Sequence, residues 1–423
     1  MADQRIANSG AKRVLMLAWE YPPRIIGGLA RVVCALSREL VKQGLEVHVV
    51  TADHPGTPEY EVDEGGVHVH RVKSQTNKLG EKWDTPNFIT WDARLQFGML
   101  QHALRLHAEK PFDVCHAHDW LVADAGWVLK SIGLPLVSTI HATEFGRNHG
   151  IHNPDSEYID TVEWRLVYES AQVIVNSGHM LREVVDHFGA PAEKILVIPN
   201  GIEPDKLKNE TPVEVLREKH GVGSGPVLLF VGRLVREKGI QVLIEAAPRI
   251  LEEHPEATIV IAGAGYYEAE LRATAVSAGV ADHVKFFGNA NDVDLSELYT
   301  IADALVVPSL YEPFGIVALE GMAARVPTVT SDSGGLMDII EHTVNGITTF
   351  AGDKESLAWG ILQVLNNPEL AVSLTTAARK KVLEQYTWRA IATRSREAYD
   401  FAVAAKDNVI AIGSASAASD KVA

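Results

Sequence analysis

Short apolar runs alternate with stretches of helical periodicity along almost the whole chain, in two separate series. The first contains RVLMLAW, the helical LARVVCALSRELVKQG, LEVHVVTAD, FDVCHAH, LPLVSTIH, AQVIVNS and KILVIPNG. The second follows a polar, charged bridge near residues 204–225 and contains GPVLLFVGRL, ATIVIAGAG, VKFFGN, ADALVVPS and VPTVTSD. Strands separated by helices build right-handed βαβ units, and so parallel sheets. A chain of 423 residues is long enough for two of them. The expected fold class is α/β, with two Rossmann-like doubly wound domains over residues 12–203 and 204–387. The helical run 388–406 either ends the second domain or, the better expectation, crosses back to the first; the small, polar stretch 407–423 reads as a disordered tail.

The formal net charge of −16 argues against a general nucleic-acid or anionic-membrane binder, because phosphate binding needs a basic surface. The two cysteines, Cys34 in a predicted helix and Cys115 in a predicted buried strand, read as core thiols and suggest neither a disulfide framework nor a thiolate zinc site. MADQRIANSGAKR is polar and is followed by six apolar residues before Glu20, too few for a signal-peptide core or a membrane span. A cytosolic protein without integral membrane contact is expected.

Open parallel sheets bind ligands outside the carboxyl ends of their strands, so the loops after the apolar runs are where chemistry is sought. IIGGLARV sets Gly27 and Gly28 between the first strand and its helix, where a backbone can approach a phosphate closely; a tight βα turn accounts for the pair equally well. VGRLVREKG carries Arg233 after a strand and Lys238 five residues on, two cations that could neutralise a leaving diphosphate. In YEPFGIVALEG, Pro313 suits a first helical turn, and the N–H groups of Gly315, Ile316 and Val317 would be unpaired donors there. Glu312 would then stand at the helix mouth near a reacting group, and Glu320 deeper, on adjacent sugar hydroxyls or in a structural ion pair.

Metal signals are weak. Asp292-Val293-Asp294 has the look of a DxD motif, yet it directly precedes a helical run and reads better as an N-cap. His116, His118, His141, His149 and His152 invite a metal reading, but no carboxylate-rich zinc pattern accompanies them. His141, at the exit of LPLVSTI, is better placed to donate a hydrogen bond to substrate. The GAG at 263–265 is a turn that either does or does not also border a nucleotide.

Taken in order, GGLA after the first strand, HAT after a later one, GRLVREKG, and EPFGIVALE followed by SDSGG resemble the retaining glycosyltransferases of family 4, over residues 12–405. That resemblance implies the GT-B fold, two Rossmann-like domains facing a central cleft. It also implies that Arg233 and Lys238 bind the donor diphosphate, that Glu320 holds the nucleotide ribose, and that Glu312 stands beside the reacting sugar. Gly315, Ile316 and Val317 would offer N–H groups, Gly27 and Gly28 would face them from the first domain, and His141 would touch the donor hexose. Phe287 and Asn289 would lie near the base, with Gly232 and Phe314 in the same donor-binding set. No metal or other cofactor is implied.

HAHDW, HATEFGR and SDSGG are similar to segments of glycogen and starch synthases, which would put Asp119 beside the donor sugar. One departure stands out: bacterial glycogen synthases carry lysine two residues before their glycine pair, where this chain has Ile25, and Arg24 is the neighbour that could compensate. The expected partners are a nucleoside diphosphate sugar, UDP- or ADP-linked, and a carbohydrate or small-molecule acceptor. The expected activity is retaining hexose transfer, with glucose the expected hexose and an α-glucan one acceptor; a lipid, a sugar phosphate or a small metabolite are others. Rival readings are a sugar-nucleotide epimerase, a phosphorylase, or a non-catalytic carbohydrate-binding protein of the same fold.

Overall fold

The computed structural model describes residues 10–74 and 88–419. They form two compact units, one of them discontinuous: unit 1 takes the chain up to Pro199 and again from Trp388, and unit 2 is Asn200–Thr387. The first boundary thus falls slightly before the expected residue 203.

In unit 1 the strands are β1 (Arg13–Leu17), β2 (Glu46–Ala52), β3 (Tyr60–Val62), β4 (His68–Val72), β5 (Val114–His118), β6 (Leu136–Ile140), β7 (Gln172–Val175) and β8 (Ile195–Val197). They form one sheet in the order β3-β4-β2-β1-β5-β6-β7-β8, parallel except where β3 runs antiparallel to β4. β1 is buried along its whole length, because helices cover both faces of a parallel sheet. Its side chains alternate between the two faces: Leu15 and Leu17 enter one core with Cys115 and Ala117, while Val14 and Met16 enter the other with Val47, Val49 and Val137. The helix Gly28–Lys42 closes the second core with Ala30, Val33, Ser37 and Leu40, spaced three or four apart on its buried face.

The helix Trp388–Ser419 packs on that same face, with Ile391, Ala392, Ala398 and Tyr399 in the core of unit 1. Asp400 accepts the backbone N–H of Ala11 at 2.8 Å, and Gln43 donates to the Arg389 carbonyl at 3.1 Å. The helix continues through much of 407–423, where the sequence suggested a disordered tail. Those residues are rich in alanine, the best helix former, which sustains a helix already started. Residues 420–423 lie outside the described residues.

Unit 2 holds β9 (Val227–Val231), β10 (Thr258–Ala262), β11 (Val284–Gly288), β12 (Ala304–Val307), β13 (Thr328–Ser331) and β14 (Ile347–Thr349). They make a parallel sheet in the order β11-β10-β9-β12-β13-β14, with a hydrophobic core on each face. Among the parallel strands of each unit the order reverses direction at one place, between β1 and β5 and between β9 and β12. Connections leave in opposite directions there, opening a crevice at the carboxyl ends of the strands.

Candidate functional site

In unit 2 the loops after β9 and β12 are tied together. Gly239 has φ 68°, and a Cβ on it would lie 1.9 Å from the Pro308 carbonyl oxygen, so only glycine lets the two loops approach this closely. The Leu310 N–H donates to the Glu237 carbonyl at 2.8 Å. This contact delivers Lys238 to Glu312, with Nζ 2.7 Å from Oε2, and the Ser309 hydroxyl donates to the same oxygen at 3.1 Å. Both charged side chains are largely buried, whereas the Arg233 side chain is 61% exposed and reaches Glu237 at 4.0 Å. The two cations expected to act as a pair therefore start from different states, Lys238 already neutralised and Arg233 open to solvent.

The helix after β12 runs Ile316–Ala324, so Pro313 precedes it and does not occupy its first turn as expected. The reason is Gly315, whose φ of 110° turns the chain into the helix and whose Cα packs against Leu336. Ile316 and Val317 open the helix ahead of its first hydrogen-bonded rung, which Ala318 closes onto the Gly315 carbonyl at 3.0 Å. Glu320 lies on this helix, partly exposed, and accepts from the buried Tyr299 hydroxyl at 2.8 Å. Phe314, expected in the donor-binding set, has its side chain in the unit 2 core beside Leu336 and Ile339, leaving only its backbone for a ligand. Phe287 packs partly buried against the same core, 5.6 Å from the His220 ring, and Asn289 is exposed just beyond β11.

Gly232, at the end of β9, hydrogen-bonds through its N–H to the Ala262 carbonyl at 3.0 Å. The GAG turn packs on this loop: side chains at Gly263 and Gly265 would meet the carbonyl oxygens of Gly232 and Leu234. Close backbone approach alone accounts for both glycines. The acidic triplet starts a helix as read, but the cap is Asn291, one residue earlier; Asp294 completes a capping box and Asp292 pairs with Lys206 at 3.2 Å. Among the described residues, no group of three or more His, Cys, Asp or Glu is arranged to hold a metal ion.

In unit 1 the loop after β1 carries a residue the sequence reading passed over. Glu20 is buried and accepts the N–H groups of Ile26 at 2.5 Å and Gly27 at 3.1 Å. Burial raises its pKa, against the pull of those N–H groups and of Arg24. The Gly27 N–H expected to meet phosphate is thus already paired, while Gly28 starts the helix. Arg24, the neighbour of the position where the lysine is missing, has its guanidinium 5.6 and 5.4 Å from the ring centres of Trp19 and Trp91. Ile25 and Ile26 are exposed beside the glycines.

At the ends of β5, β6 and β7 lies a polar cluster in which His118 and Asn176 are buried and Asp119 and His141 half-buried. Asp119 has φ 63° and ψ 175°, a backbone conformation that is essentially glycine's and costs of order 1–3 kcal/mol for any other residue. Its Oδ1 accepts the His141 backbone N–H at 2.7 Å, which holds the strained turn. His141 Nε2 lies 3.2 Å from His118 Nδ1, and Asn176 Nδ2 lies 3.3 Å from His141 Nδ1. Burial lowers the pKa of His118 and His141 and raises that of Asp119, opposed for Asp119 by His141 and Arg147. His116 has a different task, bridging Tyr399 Oη at 2.8 Å and Thr139 Oγ1 at 2.7 Å. His149 ends a short helix with φ 53°, and His152 sits at 2.9 Å from the Asn148 carbonyl. The five histidines of these segments therefore do not converge on one point.

Glu20, Ser309 and Asn176 are the residues sequence reasoning missed. For Ser309 the signal was present, a hydroxyl three residues before Glu312 in the loop after a strand.

Comparison with known proteins agrees with this geometry. Residues 26–206 match the family described as Glycosyltransferase Family 4, and residues 213–381 match Glycosyl transferases group 1. An uncharacterized glycosyltransferase of Methanocaldococcus jannaschii is 40% identical, over 92% of this chain and 98% of its own. The glycogen synthase of Mycobacterium tuberculosis strain H37Rv is 36% identical, over 92% of this chain and 94% of its own. Among solved structures, HepE of Anabaena in complex with UDP and glucose superposes with a TM-score of 0.74 at 23% identity, covering 92% of this chain and 99% of that one. Two parallel-sheet units with their crevices at the strand ends, and identity sustained along nearly the full length of such relatives, place this chain in family 4 of the glycosyltransferases, with the GT-B fold.

Proposed function

We propose that the protein is a retaining hexosyltransferase that moves glucose from a nucleoside diphosphate sugar to an acceptor hydroxyl, with an α-glucan as acceptor, in the cytosol and without a metal ion. The observation that carries this is the loop pair of unit 2, where Lys238, Glu312 and Ser309 meet at the strand-order reversal beside the start of the helix Ile316–Ala324. Lys238 and Arg233 supply the positive charge that a departing diphosphate needs, and the helix N-terminus adds N–H donors. Donor binding draws Lys238 from Glu312 to phosphate, leaving the carboxylate acceptor-only beside the sugar. Glu320 and Tyr299 hold the ribose hydroxyls. Attack from the face the diphosphate leaves, with a phosphate oxygen taking the acceptor proton, retains configuration without a covalent nucleophile.

The full-length likeness to a glycogen synthase supports a glucan acceptor. One observation favours a second reading, an acceptor other than a glucan: Ile25 replaces the lysine and Arg24 is engaged over Trp19 and Trp91. Incubation with UDP-glucose and with ADP-glucose, each with and without glycogen, followed by measurement of nucleotide release and product chain length, separates the readings. Glycogen-dependent release with chain extension supports the first. Release without extension supports the second, and no release from either donor refutes glucose transfer from UDP- or ADP-glucose.

A further inference from the structure

Asn176 stands 35 positions from His141 in sequence, on another strand end, and is 3% exposed. Its Nδ2 can only donate, so the His141 Nδ1 facing it is the accepting nitrogen and the ring proton sits on Nε2. That proton points to His118 Nδ1, which accepts it, and the second proton of the series rests on His118 Nε2, a buried atom with no hydrogen-bond partner among the described residues. A buried donor without a partner is costly, and the reverse arrangement of both imidazole protons would leave a lone pair there instead. The direction of the series is therefore imposed from its Asn176 end. Beside it, Asp119 has one oxygen on the His141 backbone N–H, and as a carboxylate it can only accept through the other.

We propose that Asn176 is a positioning residue that holds His141 as the Nε2–H tautomer, so that His141 and Asp119 read one hydroxyl of the transferred hexose as a matched donor and acceptor. The hydroxyl donates to Asp119 and accepts from His141. With the opposite tautomer both protein groups accept, the hydroxyl has one proton to offer, and one hydrogen bond is lost. In the empty site His118 holds the His141 proton and keeps the ring in place. This rests on the reading that His141 and Asp119 meet the donor sugar.

The test uses the full chain with histidine labelled by nitrogen-15, and UDP-glucose and ADP-glucose together with their 2-, 3-, 4- and 6-deoxy analogues. Wild type is expected to show the His141 proton on Nε2, and to reject one deoxy donor about tenfold or more because the site's polar pair is left unpaired. Asn176→Asp replaces the donor with an acceptor; it should move the proton to Nδ1, lower kcat/KM for the glucose donor about tenfold or more, and shrink the penalty on that same deoxy donor. Asn176→Ala, which removes the partner without a charge, should give both tautomers and an intermediate penalty, and serves if the aspartate variant does not fold. A wild-type proton on Nδ1, or an Asn176→Ala enzyme with an unchanged tautomer and deoxy pattern, overturns the proposal. Failure of the underlying reading looks different: His141→Ala would then leave transfer intact, whatever the tautomer signal reports.

Discussion

Replacing Lys238 by methionine keeps the aliphatic stem and removes the charge that faces Glu312. At 2.7 Å the gross attraction between the two groups is about 6 kcal/mol for an effective dielectric near ~20. Most of that is lost against the hydration both groups would have in the unfolded chain, but methionine leaves the largely buried Glu312 carboxylate without its counter-charge, a loss of ~3–5 kcal/mol at a fully buried pair. The melting temperature should therefore fall, by less than at a fully buried pair because both side chains keep some exposure and the Ser309 hydroxyl still donates to Glu312. Turnover should change a great deal, because in the transition state the same ammonium meets charge growing on a diphosphate, where loss of one such group costs ~2–4 kcal/mol, or roughly thirty- to several-hundred-fold. Arg233→Ala should cost less stability still, the side chain being 61% exposed, and Arg233→Lys should restore only part of the rate because a point charge does not reproduce the guanidinium fork. The assay is initial nucleotide release at saturating donor in buffer with EDTA, with melting curves alongside. In a cycle with Glu312→Gln the double variant should lose less than the sum of the singles, since both remove one pair. A Lys238→Met enzyme within threefold of wild type, strict additivity, or loss of wild-type activity in EDTA restored by Mn²⁺ would refute the reasoning.

Glu320→Ala should raise the donor KM more than it lowers kcat, because ribose contacts are similar in the ground and transition states; a changed kcat at unaltered KM counts against that role. Deleting residues 388–423 should unfold unit 1, since Tyr399 and Asp400 tie that helix to His116 and Ala11, whereas deleting 408–423 should leave activity intact; circular dichroism and turnover of both truncations decide it. Stability should fall in acid through the stacked histidines of β2 and β4: burial holds His48 down to about 4 and His70 down to about 3. The unfolded chain takes up those protons near pH ~6.5 and the folded chain does not, so stability is whole above that pH and is lost as pH falls toward 4 and 3. Denaturant midpoints from pH 8 to 4.5 should drop, with a shallower slope in His70→Asn; a flat wild-type profile would exclude the histidines as the cause.

The framework of the fold was legible because strands buried on both faces are written as unbroken apolar runs, VLML in β1 and VLLFV in β9. The β3–β4 hairpin was not, because YEV is a short edge strand and HVHRV beside it buries His70 and Arg71 through pairings with His48, His102 and Glu61 instead of through apolar side chains. At the candidate site, the loops and several residue types could be read from sequence, and their pairings could not. Glu312 and Lys238 are 74 positions apart and Asn176 and His141 35, and nothing local encodes those distances. Glu20 was missed for a related reason. A glutamate before two prolines reads as an exposed loop residue until the backbone folds over it.

Unit 2 is an insertion between two pieces of unit 1, and that gives synthesis on the ribosome a fixed order of events. The sheet of unit 1 emerges first but lacks Ile391, Ala392, Ala398 and Tyr399, which complete one of its two cores. Translating unit 2 at ~5–20 residues per second takes on the order of 10–40 s, and for that interval the part of an apolar sheet face that the helix Gly28–Lys42 does not cover stays open. Unit 2 is continuous and can finish first. A nascent chain paused anywhere in Asn200–Thr387 therefore carries an unfinished amino-terminal unit, the form a holding chaperone would select.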